Sequence, residues 1–392
     1  MKKLLFLLFL PFFSQAQQQA LFDVSQKYNE DGAQTFEEVK GLISENYYFD
    51  GLSENDLYWA AIQGMLRHIS PPESPTLGTL WTDEEYEKIL SSLKGVKVSL
   101  GFTSNFNTND GSLTVTGLTN GSEAEKVLQV QDRIVRLDGQ NLKGLSITRI
   151  NELLDGERGQ SSILKVVRDI EVFEVTLSRE ELKKENLLVH KIPNQPLALV
   201  EIKSISLGIA DELEKELEVL KSEGVQGIIL DLRNNVGGVL NEGINVSKLF
   251  LKERNIVLRT QARSKGVTNY VADQDKYTEF KLTVLINENS ASASEIIAAA
   301  VRDHNRGTLV GKKTFGKGVI ENTYTLKNEY RVKFITNAMY SPKGVSWQKV
   351  GILPDFFIDQ NQASYNRAKS LSIEERIKQD APLLTAIKLL NQ

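Results

Sequence analysis

Three short segments of this sequence hold the residues best suited to do chemistry, and each follows an apolar run. Ser290-Ala291-Ser292-Ala293-Ser294-Glu295 comes directly after Leu282 to Ile286 and opens an alanine-rich stretch. A serine there stands at a helix N-terminus, where unpaired N–H groups and the positive end of the helix dipole stabilise a developing oxyanion. The same residues spell a capping box, Ser292 with Glu295 three positions on, and this segment alone favours that plainer role. A serine hydroxyl is a poor nucleophile without a base. The base on offer is Lys317, in Thr314-Phe315-Gly316-Lys317-Gly318, where glycines on both sides let the backbone approach closely. An amine is a base only when neutral, and burial can lower a lysine's pKa from about 10.4 by several units. A solvated loop lysine is the ordinary alternative. The third segment, Asp231-Leu232-Arg233-Asn234-Asn235-Val236-Gly237-Gly238, ends in paired glycines. These can turn N–H groups toward a substrate carbonyl or simply form a tight turn. Each signal is weak alone; together, at three strand ends, they gain force.

Competing motifs fail on their own terms. Gly311 to Gly318 nearly fits a phosphate loop, but glycine stands where that motif needs a Mg²⁺-binding hydroxyl. Val319 to Tyr324 also favours a strand where it needs a helix. Ser91-Ser92-Leu93-Lys94 matches the S-x-x-K of penicillin-recognising enzymes without its S-D-N and K-T-G companions. The histidines, His68, His190 and His304, are scattered and not at zinc-ligand spacing. His304 reads as a helix C-terminal cap.

Composition narrows the class further. A length of 392 residues suits two or three domains, and 41% hydrophobic with 25% charged residues excludes wholesale disorder and a multi-span membrane protein. Forty-seven basic against 51 acidic residues, with no basic block, give no nucleic-acid surface. The absence of cysteine excludes a disulfide scaffold, a thiol nucleophile, thiolate metal sites and lipid attachment through an N-terminal cysteine. Lys2 and Lys3, the apolar run Leu4 to Phe13 and Ser14-Gln15-Ala16 describe a secretory signal peptide cut after Ala16. The run is too short to span a bilayer, Pro11 interrupts it and Gln17-Gln18-Gln19 follows at once. The expectation is an exported chain, periplasmic or extracellular, with no later membrane span.

The elements that must position the three segments follow from periodicity. Phe36 to about Leu93 repeats apolar residues at helical spacing, broken by the Ser70–Pro75 loop and restarted at Thr82-Asp83-Glu84-Glu85. Between Val96 and Leu177 five short strands (Val96 to Phe102, Leu113 to Thr116, Arg133 to Leu137, Ile163 to Arg168, Val172 to Leu177) and two helical patches predict a small α+β barrel. From about Leu187 strands alternate with helices. Ala198 to Ile202, Gly227 to Leu232, Leu282 to Ile286 and Thr308 to Val310 are apolar enough for strands in an α/β layer, where ligands gather at strand carboxyl ends. Ser372 to Leu390 is helical again.

On these residues the chain resembles the C-terminal processing peptidases, or tail-specific proteases, a serine–lysine family (S41). S-A-S-A-S-E stands at Ser290 to Glu295 and F-G-K-G at Phe315 to Gly318, and the Ser292-to-Lys317 spacing agrees with the family. Asp231 to Gly238 resembles D-L-R-N-N-P-G-G, with Val236 in place of proline; Ser341-Pro342-Lys343-Gly344 and Val350 to Asp355 resemble later segments. Ser99-Leu100-Gly101-Phe102 stands where PDZ domains carry G-L-G-F, although Ser99 replaces the first glycine. Gly121-Ser122-Glu123-Ala124, Asp132-Arg133-Ile134 and Asp138-Gly139 fit the middle of such a domain.

The resemblance implies a multidomain α+β protein: signal peptide 1–16, helical region 17–95, PDZ domain 96–180, and a ClpP/crotonase-like α/β peptidase core 181–392. It implies Ser292 as nucleophile and Lys317 as base, an oxyanion held by Ala293 and by Gly237 or Gly238, and capture of a tail carboxylate at Ser99 to Phe102. Protein or peptide substrates with free C-terminal tails are the implied partners, no metal or cofactor is called for, and a homodimer stays open. One departure bears on mechanism. The family places glutamine four residues after the lysine, to orient it, where this chain has Glu321. An ionised carboxylate beside Lys317 would favour the ammonium. Either Glu321 is protonated, points away, or slows the enzyme until a rearrangement; otherwise the chain binds tails without cutting them. A fold-level relative acting on thioesters is a remoter alternative.

Overall fold

The computed structural model describes residues 31–71, 75–107 and 110–392. The expected leader lies outside them, as do 72–74 of the Ser70–Pro75 loop and Asn109.

The described residues divide into two compact units, one running to Glu84 together with Ile320–Thr336, the other comprising Glu85–Val319 and Asn337–Gln392. The first begins with helices α1 (Gly32–Asn46) and α2 (Glu54–His68). Asp31 caps α1 by accepting from the Ala33 N–H. Ser53 and Asp56 form a reciprocal capping box at α2, which satisfies two N–H groups the first turn would otherwise leave unpaired. Strand β1 (Thr79–Trp81) pairs antiparallel with 331–333.

The second unit opens with helix α3 (Asp83–Leu93), most of which lies in it. Strands β2 (Val96–Ser99), β3 (Phe102–Asn107) and β4 (Ser112–Leu118), helix α4 (Glu123–Val127), strands β5 (Arg133–Leu137) and β6 (Gln140–Asn141), helix α5 (Ile147–Leu154) and strands β7 (Ser161–Arg168), β8 (Glu171–Ser178) and β9 (Glu180–Lys183) follow. Val96 to Phe102, expected as one strand, is two. Gly101 turns the chain at φ +86°, and a Cβ there would stand 2.6 Å from Ser122 Cβ, so only glycine fits the corner. The sheet order is β3-β4-β5-β7-β8, with β3 at an edge and β6 on β5. Leu113, Val115, Ile134, Leu137, Ile150, Leu164 and Val166 fill its interior with the helices folded over it. β2 pairs with β9 as a separate ribbon.

The α/β layer is built from strands β10 (Leu187–Lys191) and β11 (Leu197–Ile202), helix α6 (Ile209–Ser222), strand β12 (Gly227–Asp231), helix α7 (Leu240–Phe250), strands β13 (Ile256–Ala262), β14 (Val267–Val271) and β15 (Lys281–Ile286), helix α8 (Ala293–Asp303) and strand β16 (Thr308–Gly311). After strands β17 (Val319–Thr325) and β18 (Arg331–Tyr340) come β19 (Phe356–Phe357) and helices α9 (Gln362–Lys369), α10 (Ile373–Gln379) and α11 (Ala381–Leu390). The main sheet runs β10-β11-β12-β15-β16-β19 and is parallel except for β10. β11 and β12 are buried throughout, which is why they read as unbroken apolar runs. α11 packs beneath through Leu383, Ala386, Ile387 and Leu390. β13 pairs with β14 and with 337–340.

This topology decides the placement of the three segments. β12, β15 and β16 are parallel neighbours, so Leu232–Gly238, Asn287–Ser292 and Lys312–Gly318 leave the same edge side by side. Beneath the first lies a buried knot of charge. Arg233 forks onto Asp231 at 2.7 and 2.9 Å and onto Asp380 at 2.7 and 2.8 Å, while Arg376 holds Glu201 at 2.7 Å. Asp380 also caps α11 through the Leu383 N–H. Burial alone would push the Asp380 and Glu201 carboxyls up, but Arg233 and Arg376 more than offset it and hold both below the ordinary range.

Candidate active site

Ser292 is the N-cap of α8 and has φ +55°, ψ −115°. For a residue with a Cβ this backbone is strained by about 1–3 kcal/mol, and such strain persists only where its surroundings enforce it. Its neighbours supply the enforcement. Ser290 Oγ donates to the Leu232 carbonyl at 2.8 Å and accepts the Asn287 N–H; Ser294 Oγ donates to the Asn235 carbonyl at 2.9 Å. Both outer serines are fully buried and spent on stitching the helix start to the loop after β12. Ser292, between them, is partly exposed. Gly243 lets α7 brace the first turn of α8, since a Cβ there would lie 2.9 Å from Ala293 Cβ.

The loop after β12 is shaped by Asn235, wholly buried. Its Nδ2 donates to the Ile202 carbonyl at 2.6 Å and its Oδ1 accepts the Gly237 N–H at 2.9 Å. Gly237 (φ +96°) lies directly against Ser292, where a Cβ would stand 2.9 Å from the serine Cβ. Gly238 (φ +150°) bridges to Ile205. The expectation of a donor at Gly237 or Gly238 is therefore narrowed, because the first N–H is already committed to Asn235. Among the described residues, the N–H groups of Gly238 and Ala293 have no hydrogen-bond acceptor.

Glu295 does far more than cap a helix. Its Oε2 accepts the Ser292 N–H at 2.8 Å and the Lys317 N–H at 2.8 Å; its Oε1 accepts the Gly316 N–H at 2.7 Å and the Thr314 hydroxyl at 2.6 Å. The amide nitrogens of Ser292 and Lys317 are thus no further apart than twice one hydrogen bond. Burial pushes the Glu295 carboxyl above its ordinary range, and the hydroxyl and three N–H donors partly offset that rise. Lys317 is half-buried. Gly316 (φ +98°) and Gly318 are glycines because the chain at Gln348–Gly351 presses against them. A Cβ would meet Gly351 N at 2.9 Å in the first case and Gln348 N at 2.8 Å in the second.

Glu321 lies on β17 in the unit that contains the N-terminal helices, and its Oε1 stands 3.0 Å from Lys333 Nζ. At the corner between β2 and β3, Gly101 N–H approaches Ser99 Oγ at 3.4 Å, Leu100 is buried, and Phe102 opens β3, an edge of the six-stranded sheet. His304 caps the end of α8 with its Nε2 2.7 Å from the Ile256 carbonyl oxygen. Among the described residues no helix is long and apolar enough to cross a membrane, and no cluster of three or more His, Asp or Glu is arranged for a metal ion. Asn235 and Thr314 were not singled out from sequence. Each lies inside a segment that was; the Asn235 side chain bonds back onto its own loop, whereas the Thr314 hydroxyl reaches Glu295 and the Ile352 N–H, far away in sequence.

Residues 196–358 match peptidase family S41. The carboxyl-terminal-processing protease of Synechocystis is 31% identical over 330 residues, 83% of this chain and 76% of its own. A CtpA-like serine protease of Staphylococcus haemolyticus is 28% identical over 315 residues, 79% of this chain and 62% of its own. The chain thus spans about three quarters of the first relative and under two thirds of the second. Among solved structures, an S41 protease from Bacteroides fragilis has a TM-score of 0.58 at 15% identity, covering 90% of this chain and 96% of that one. A photosystem II D1 C-terminal processing protease has a TM-score of 0.50 at 22% identity, covering 88% and 94%. At these identities the two structures share the fold.

Proposed function

The chain belongs to peptidase family S41, and from that premise we propose an exported serine endopeptidase that takes hold of a protein's C-terminal tail and cuts by a serine–lysine dyad. Residues 96–180 act as a PDZ domain: the turn Ser99 to Phe102 receives the tail carboxylate, and the peptide adds to the open edge of β3. Ser292 Oγ attacks the scissile carbonyl carbon while neutral Lys317 Nζ takes its proton. The tetrahedral oxyanion sits on the N–H groups of Gly238 and Ala293. Lys317 then returns the proton to the leaving amine as the C–N bond breaks; in the second half Lys317 Nζ takes a proton from water, which attacks the acyl ester, and passes it to Ser292 Oγ as the C–O bond breaks.

One observation carries this reading: a single carboxylate oxygen of Glu295 accepts from the main chains of both Ser292 and Lys317. That bond fixes nucleophile and base relative to each other before substrate arrives. The test is cleavage of an unfolded protein with an apolar C-terminus by the wild type, Ser292→Ala and Lys317→Ala, alongside labelling with a fluorophosphonate. Cleavage and labelling at Ser292 are expected in the wild type alone. Equal cleavage by all three disposes of the dyad.

A further inference from the structure

Gly316-Lys317-Gly318 forms no helix or strand, and its two glycines make it intrinsically floppy. A base held on such a segment would wander unless its main chain were tied. Every polar main-chain group of these three residues has a partner. Glu295 accepts the N–H groups of Gly316 and Lys317. The Gly316 carbonyl accepts the Lys349 N–H at 2.8 Å, and the Gly318 carbonyl accepts the Met339 N–H at 2.8 Å. Two side chains close the remainder: Trp347 Nε1 donates to the Lys317 carbonyl at 3.0 Å, and Gln348 Oε1 accepts the Gly318 N–H at 2.6 Å.

We propose that Trp347 and Gln348 are positioning residues for Lys317, fixing the exit side of its loop as Glu295 fixes the approach. This rests on the dyad reading above. Trp347 is 3% exposed, and its own carbonyl accepts the N–H groups of Val350 and Gly351, so the indole belongs to a rigid turn. A Cβ at Gly318 would stand 2.8 Å from Gln348 N, so the two main chains lie against each other. Without the glutamine oxygen a buried N–H is orphaned, and the strand start beside Lys317 must shift to find another acceptor. Each side chain bonds the main chain of this loop, and through it each acts on the lysine.

The experiment compares wild type, Ser292→Ala, Gln348→Leu, Gln348→Glu and Trp347→Phe in steady-state cleavage of an unfolded protein with an apolar tail, with thermal melts of each. Gln348→Leu keeps the bulk and loses the acceptor, and Trp347→Phe keeps a ring and loses the donor. Gln348→Glu keeps an oxygen at the same reach. Both loss variants should drop kcat by about 10- to 100-fold with KM within about twofold, the cost of misplacing a reacting group by about 1 Å. Gln348→Glu should recover most of the rate in assays at alkaline pH, where its added charge does least to favour an ammonium. Full-rate cleavage by folded Gln348→Leu and Trp347→Phe, with Ser292→Ala inactive, overturns this inference alone. The same holds if Gln348→Glu is as slow as Gln348→Leu at alkaline pH and equal melting temperature. A wild type that does not cleave, or Ser292→Ala that cleaves as well as wild type, overturns the dyad and this inference together.

Discussion

Replacing Glu295 by glutamine is the sharpest perturbation the site offers. The carboxylate presents two acceptor oxygens to four donors, whereas an amide presents one oxygen and an NH₂ group. If the amide oxygen faces Thr314 and Gly316, the NH₂ confronts the N–H groups of both Ser292 and Lys317, and two donors are orphaned. Turned the other way, it keeps those two and opposes the Gly316 N–H, with the Thr314 hydroxyl free to rotate and accept. The second arrangement wins and leaves one buried N–H unmet, at about 1–3 kcal/mol. Relief of the buried charge, which pushes the native carboxyl up, works against part of that loss. The net is a loss of about 1–2 kcal/mol, small enough to leave the protein folded at 25 °C. Activity should suffer more than stability, because the bonds that survive are weakened on losing their charge and the Gly316 end of the loop is released. A shift of about 1 Å between Ser292 and Lys317 predicts a kcat lower by about 100-fold, with KM little changed. Steady-state kinetics and thermal melts on the same preparation decide it. A folded Glu295→Gln protein cutting at the wild-type rate would refute the idea that this carboxylate aligns the pair.

Three further outcomes follow from the geometry. Gly238→Ala places a Cβ against the Ile205 carbonyl at φ +150°, which forces the loop to move; kcat on a short peptide should fall by at least about 100-fold, the typical worth of an oxyanion donor. Asp380 has a folded pKa below its unfolded value of about 3.9. The stability it contributes is therefore complete above that value and lost as pH falls through the depressed folded value. Asp380→Asn should remove that part of the acid sensitivity, read from urea melts between neutral and acid pH, and should destabilise by about 3–5 kcal/mol near neutrality by leaving Arg233 half-paired. Gly101→Ala drives a Cβ into Ser122 and should raise KM at least about tenfold for substrates with a free carboxylate tail. Hydrolysis of a short amidated peptide should stay at wild-type rate.

Much of the fold was legible because its signals are local. The unbroken apolar runs at Gly227 to Leu232 and Leu282 to Ile286 can be buried on both faces only in a covered parallel sheet, and that is where they lie. The serine segment was legible as a helix start from its own residues. Glu295 was legible only as the partner of Ser292 in a capping box, because its other donors, Thr314 to Lys317, lie about a score of positions further on. The choice between Gly237 and Gly238 turned on Asn235 folding back by two residues, a rotamer that no pattern of types announces. Val96 to Phe102 has the composition of one strand, and the corner at Gly101 exists because Ser122 packs into it from elsewhere in the chain. Trp347 and Gln348 carry no local mark at all: their partners are 30 residues upstream.

The knot under the loop after β12 has a consequence for how the molecule comes into being. Arg233 meets Asp380 across 147 residues of sequence. A chain emerging from the ribosome with its N-terminus leading therefore makes Arg233 long before the anchor that seats it. Until the closing helices arrive, the strand end that carries Gly238 has half of its counter-charge and no α11 beneath it. Synthesis itself then acts as a safety catch, since the loop after β12 is seated only once the segment that carries Asp380 has been made.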